Sequence, residues 1–265
     1  MSNKKHWLAL AALVSFLVPA AASADAYSDG YLRNYGTGRP VVSSGNLRQV
    51  QMSPVVAVGG MSLSAANAAG DYMHDVCKEG TFTWTQDRFP LKVYIEDGGS
   101  VPGYRPNFNG FIVDAFNTWD QVTNHKLSWS QVSSPQDADI TIRWTDAVTE
   151  RVEGTEAGRT AAVTRLNPAT GLGTISGAKM QFLTRLPQRQ FSDDEVKKTC
   201  LHEVGHALGL QGHSTNRNDI MYYAVSPTQG TLTARDINTM NKLYDTYPAN
   251  SAATMVTLGP KPRRN

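Results

Sequence analysis

Cysteine is nearly absent: two residues in 265, at Cys77 and Cys200. That excludes a small disulfide-built scaffold and a four-cysteine zinc site. Charge of one sign is lacking too. Lys and Arg number 25 against 23 Asp and Glu, and charged residues make up only 18% of the chain. A +2 balance, part of it in the first five residues, excludes an electrostatic nucleic-acid binder, which carries a basic stripe. With 40% hydrophobic residues, the composition also excludes wholesale disorder. Long hydrophobic runs are missing beyond the N-terminus. There, Lys4 and Lys5 precede the apolar stretch Trp7 to Val18, followed by Ala22-Ser23-Ala24. Twelve residues fall short of the roughly 20 that span a bilayer, whereas basic, apolar and small-residue regions in that order make an export signal.

The expected organisation is a signal over 1–24, a Gly/Ala/Ser-rich extension or pro-segment over 25–80, one domain over 81–248, and a disordered basic tail over 249–265. Within the domain, Leu91–Ile95 alternates like a strand with one buried face, and Ala138–Trp144 does the same. Apolar residues at 108, 111, 112, 115, 116, 119 and 122 form a helical stripe. Gly177–Thr184 reads as a further strand, along which an extended peptide could be added. Ser192 and Glu195 form a capping box that starts a second helix. The fold class expected is α+β, a mixed twisted sheet with two main helices.

That second helix carries His202-Glu203-Val204-Gly205-His206-Ala207-Leu208-Gly209-Leu210-Gln211-Gly212-His213. Histidines four apart present both imidazoles on one helix face, close enough to hold one metal ion. Glu203 is not needed as a ligand and stands where a general base for hydrolysis belongs. Gly209 can end the helix, so that the chain turns and His213 becomes a third ligand. Three imidazoles that leave one position open suit a catalytic Zn²⁺ rather than a structural one.

The run resembles the metzincin zinc endopeptidases, in the bacterial-type matrixin spacing H-E-x-x-H-x-x-G-x-x-G-H. Asn218-Asp219-Ile220-Met221-Tyr222 looks like their methionine turn, with Met221 as an apolar floor under the zinc histidines. Leu232 to Tyr244, capped by Thr233 and Asp236, looks like the matrixin C-terminal helix. The resemblance implies a metzincin-like catalytic domain with its zinc site on the active-site helix, hydrolysing peptide bonds with water activated by the metal. It also implies that Tyr222 and Tyr223 contribute to the substrate pocket, with Ala224 to Pro227 continuing its wall. Three features depart from the family pattern. The third histidine comes one residue late, after Gly212, read as a flexible joint. No cysteine-switch motif lies upstream, and the acidic loops for structural Ca²⁺ and zinc are not recognisable between Glu150 and Gly177. Cys77 and Cys200 are open to three readings: a disulfide, a buried free Cys200, or Cys77 as a latent zinc ligand. The expectation is a secreted or periplasmic monomer that binds protein or peptide substrate and no nucleic acid, with no stable membrane insertion once the signal is cleaved. Two rival readings are a non-catalytic, zinc-stabilised binding protein and a zinc peptidase of another clan with an acidic third ligand.

Overall fold

The computed structural model of the chain describes residues 9–18 and 69–246, apart from 79, 148–149, 152–153, 168 and 226–228. The signal cleavage site, most of the 25–80 extension, the basic tail and Ser226–Pro227 of the expected pocket wall lie outside the described residues.

Strands β1 (Ala9–Val18), β2 (Thr81–Trp84), β3 (Leu91–Ile95), β4 (Trp129–Gln131), β5 (Ile140–Thr145), β6 (Glu150–Arg151), β7 (Gly154–Asn167) and β8 (Leu172–Leu183) form one mixed sheet. Its order is β1-β7-β8-β5-β3-β4, with β2 also on β8 and β6 also on β7. The helices are α1 (Met73–Val76), α2 (Phe108–Val122), α3 (Asp193–Ala207) and α4 (Ala234–Thr246).

Period-two alternation builds the centre of the sheet. Leu91, Val93 and Ile95, then Ile140, Ile142 and Trp144, then Ala178, Met180 and Phe182 all point inward and are buried. Parallel register places Val93 beside Ile140 and Ile142 beside Met180, so the apolar faces form continuous rows. Six positions of the α2 stripe, Phe108, Phe111, Ile112, Ala115, Phe116 and Trp119, are buried in the same core. Each large side chain so buried contributes about 1.5–3 kcal/mol of apolar transfer.

Three expectations need correction. The strand proposed to receive substrate, Gly177–Thr184, lies on β8 in all but its last residue, and β8 is interior. β7 runs along one of its edges, and β2 and β5 share the other. Its backbone groups are already paired, so it cannot accept an added strand. The edge strand of this half of the sheet is β1, which pairs the outer side of β7 in antiparallel register, from Ala9↔Arg165 to Val18↔Thr155. Second, the folded unit begins before residue 81: Tyr72, Met73 and Val76 belong to the core. Third, Cys77 and Cys200 are both free thiols. Cys77 hydrogen-bonds the Thr81 side chain at the start of β2, whereas Cys200 is buried in α3 near the Asp114 and Glu203 carboxylates. A bridge needs two Cα atoms within about 7 Å and facing Cβ vectors. These thiols have separate surroundings, and burial raises the pKa of both.

Candidate metal centre

Local chemistry starts and stops α3. Glu195 N–H donates to Ser192 Oγ at 3.2 Å, and Ser192 N–H donates to Glu195 Oε2 at 2.8 Å, closing the capping box. At the other end, Gly209 N–H donates to the His206 carbonyl and Leu210 N–H to that of Gly205, a Schellman stop. Gly209 has φ +119°, and a Cβ there would lie 2.4 Å from the Phe82 carbonyl oxygen, so both conformation and space demand glycine. The terminal carbonyls find aromatic donors: Trp84 Nε1 bonds Ala207 O at 2.9 Å and the Tyr244 hydroxyl bonds Leu208 O at 2.8 Å. The apolar side of α3 (Val204, Leu208 and Cys200) is buried, which fixes the helix's rotation and aims the histidines.

His202, His206 and His213 converge, with candidate ligand atoms all within 4.8 Å of one another. His202 Nδ1 pairs with the Ile220 carbonyl at 2.7 Å, and His206 Nδ1 pairs with the Leu210 carbonyl. Backbone carbonyls can only accept, so each Nδ1 carries the proton and each Nε2 keeps its lone pair. Those two Nε2 atoms face each other at 2.9 Å. Burial holds both imidazoles well below their ordinary pKa, and the neighbouring histidines push the same way. Two buried neutral rings with ordered tautomers, joined by a third on the following turn, fit a zinc ion.

His213 reaches the cluster through Gly212, for a reason other than the expected flexible joint. Gly212 has no positive φ. A Cβ there would lie 2.5 Å from the Asp75 carbonyl oxygen and 3.0 Å from Val76 Cα. α1 therefore packs directly on the residue before the third histidine.

Met221 is fully buried and lies against α3 between the two helical histidines: a Cβ on Gly205 would meet its sulfur at 2.6 Å. A glycine inside a helix costs about 1 kcal/mol relative to alanine, and here it admits the methionine floor. Buried carboxylates hold the turn. Asp236 accepts from Ile220 N at 3.1 Å, Thr233 N at 2.7 Å and the Tyr72 hydroxyl at 2.6 Å, and also caps α4. Asp219 accepts from Ser214 Oγ, Thr233 Oγ1 and Arg235 Nε. Gln229, itself buried, donates to the carbonyl of Asp219 and closes the loop. Tyr222 and Tyr223 follow the turn with ring centroids 4.4 Å apart, Tyr223 being exposed.

Replacing Asp236 by Ala strips the acceptor from two buried donors and one half-buried one, at a cost of about 1–3 kcal/mol each with partial relaxation. The expected loss is about 3–5 kcal/mol in urea unfolding of the metal-free protein. A loss under about 1 kcal/mol would mean that this carboxylate does not hold the turn.

Sequence reasoning missed Tyr72, Thr160 and Asp219. Thr160, on β7, donates its hydroxyl to Glu203 Oε2 at 2.5 Å. Asp219 had a signal, since it lies inside the methionine-turn motif; Tyr72 and Thr160 are distant in sequence and had none.

Fold and site together define a three-histidine metal centre: two histidines from one helix, a third from its turn, a carboxylate beside the first, and a methionine beneath. Residues 104–245 match the family model described as matrixin. The chain belongs to the matrixin family of zinc metalloendopeptidases. It is 29% identical over 140 residues to "Probable matrix metalloproteinase 095L" of Invertebrate iridescent virus 3, a match covering 51% of this chain and 37% of that relative. It is also similar to a crystal structure of metalloproteinase-II from Bacteroides fragilis, at 15% identity and TM-score 0.34 over 63% of this chain and 54% of that one.

Proposed function

We propose that this protein is an exported endopeptidase in which His202, His206 and His213 hold one catalytic Zn²⁺ and Glu203 is the general base. The observation that carries the reading is the convergence of three histidines beside a buried carboxylate. Bound zinc would polarise the scissile carbonyl and acidify the attacking water. Glu203 takes the proton from that water on its carboxylate and then passes it to the leaving nitrogen. Met221 and the carbonyls of Ile220 and Leu210 keep the imidazoles in place and correctly protonated. The substrate is a protein or peptide in extended form, lying along the outer edge of β7. That edge is taken by β1, which falls within the apolar stretch read as the export signal, so signal removal would present it. Export to the periplasm or the medium is supported by Lys4, Lys5, the apolar run and Ala22-Ser23-Ala24. No described helix is long and apolar enough to cross a membrane.

The test is peptidase activity of the purified, signal-free chain on a denatured protein substrate. Chelation is expected to abolish cleavage and stoichiometric zinc to restore it. Cleavage that survives complete metal removal would end the zinc-peptidase reading. A protein that binds zinc without cleaving any peptide library would favour the binding-protein alternative.

A further inference from the structure

The Glu203 carboxylate is fully buried, and a neighbouring strand, β7, restrains it. Thr160, buried on the inward face of that strand, has its hydroxyl 2.5 Å from Glu203 Oε2 and 3.2 Å from the Glu203 carbonyl oxygen. One hydroxyl has one proton, and the shorter, charge-assisted contact with the carboxylate is the stronger. Two residues earlier on the same face, Gly158 clears space: a Cβ there would lie 2.6 Å from Glu203 Cγ and 2.9 Å from Oε1. Glycine at 158 and threonine at 160 thus form a slot in β7, with room for the carboxylate on one side and a hydroxyl pinning it on the other.

We infer that Thr160 is a positioning residue for Glu203, an assignment that rests on the reading of Glu203 as general base. Proton transfer requires the carboxylate oxygen within about 3 Å of the reacting proton. A glutamate has three rotatable side-chain bonds and strays from such a geometry unless it is tethered. Thr160 tethers it to the strand along which the peptide is proposed to lie, so base and substrate share one frame. The effect falls on the chemical step, not on zinc binding or substrate affinity.

Two measurements test this. In peptidase kinetics, Thr160→Val, which keeps the β-branched shape and removes the hydroxyl, is expected to lower kcat about tenfold to a hundredfold, the usual weight of a hydrogen bond to a charged group. KM and zinc stoichiometry stay near wild type, and Thr160→Ser recovers most of the loss. In thermal unfolding of the metal-free protein, a double-mutant cycle of Thr160→Val with Glu203→Ala reads the contact without activity. Non-additive melting shifts are expected, because without the carboxylate the hydroxyl keeps only the longer contact with the backbone carbonyl of residue 203, so the valine substitution costs less stability there. Additive shifts, an unchanged kcat in Thr160→Val, or failure of Thr160→Ser to rescue would each overturn the assignment. If Thr160→Val does not fold, Thr160→Ala is read in the same way. The base reading fails separately, by full activity of Glu203→Gln, while the metal-free cycle still reports on the tether.

Discussion

Glu203→Gln is expected to reduce kcat/KM by about two to four orders of magnitude, the range associated with loss of general acid–base catalysis. That corresponds to about 3–5 kcal/mol of barrier. Few substitutions here isolate chemistry so cleanly. The amide matches the carboxylate in size, and its oxygen can still accept from the Thr160 hydroxyl. The zinc ligands are untouched, so metal analysis should return one zinc per chain in both proteins. KM should change little, because the missing interaction is with a proton that moves only in the reaction. Near-normal cleavage by a fully metallated Glu203→Gln variant would remove Glu203 from the mechanism. Loss of zinc along with activity would make it a structural residue of the site.

His213→Ala should act on the metal itself. Apparent zinc affinities of about 10–16 kcal/mol are shared among about four ligands, so losing one weakens binding about a hundredfold to a thousandfold. A competition titration with a chromophoric chelator measures this directly. The fold should survive, because His213 is only half-buried and its neighbours are held independently by Ser214, Asp219 and Asp236. Shifting the histidine to the preceding position should not rescue the site. Any side chain at 212 drives its Cβ to 2.5 Å from the Asp75 carbonyl and forces α1 off the turn. Unchanged zinc affinity in His213→Ala would mean that the third ligand lies elsewhere and would revive the acidic-ligand alternative.

Most of the active-site helix was legible because its determinants are short-range. A capping box joins residues three apart, two histidines share a face at a separation of four, and Gly209 is needed within one turn of the ligands it follows. The α2 stripe and the alternation of Leu91–Ile95 were readable for the same reason, since helix and strand impose periods of 3.6 and 2.0 on any chain that buries one face. The cap of α4 by Thr233 and Asp236 was legible, but not that the same carboxylate also holds Ile220 and Tyr72.

The errors were all long-range. Gly177–Thr184 has the pattern of a strand, and an alternating pattern shows which side chains are buried without showing which backbone edge is paired. The two cysteines could be counted but not located. Gly212 looked like a hinge because glycine permits unusual φ, whereas its true reason is α1, more than 130 residues earlier in the chain. By itself, then, the amino-acid sequence determined the metal-binding helix, its stop and the late third histidine, because each depends on bonds and spacings within a few residues, whereas the methionine turn was legible only through the family resemblance. Only the tertiary structure decided that β8 is interior with β7 between it and β1, that Thr160 grips Glu203 across 43 residues, and that Tyr72 and Asp236 clamp the turn across 164. Those contacts depend on strand order and register, which emerge when separate apolar faces pack against one another and leave no local trace in the chain.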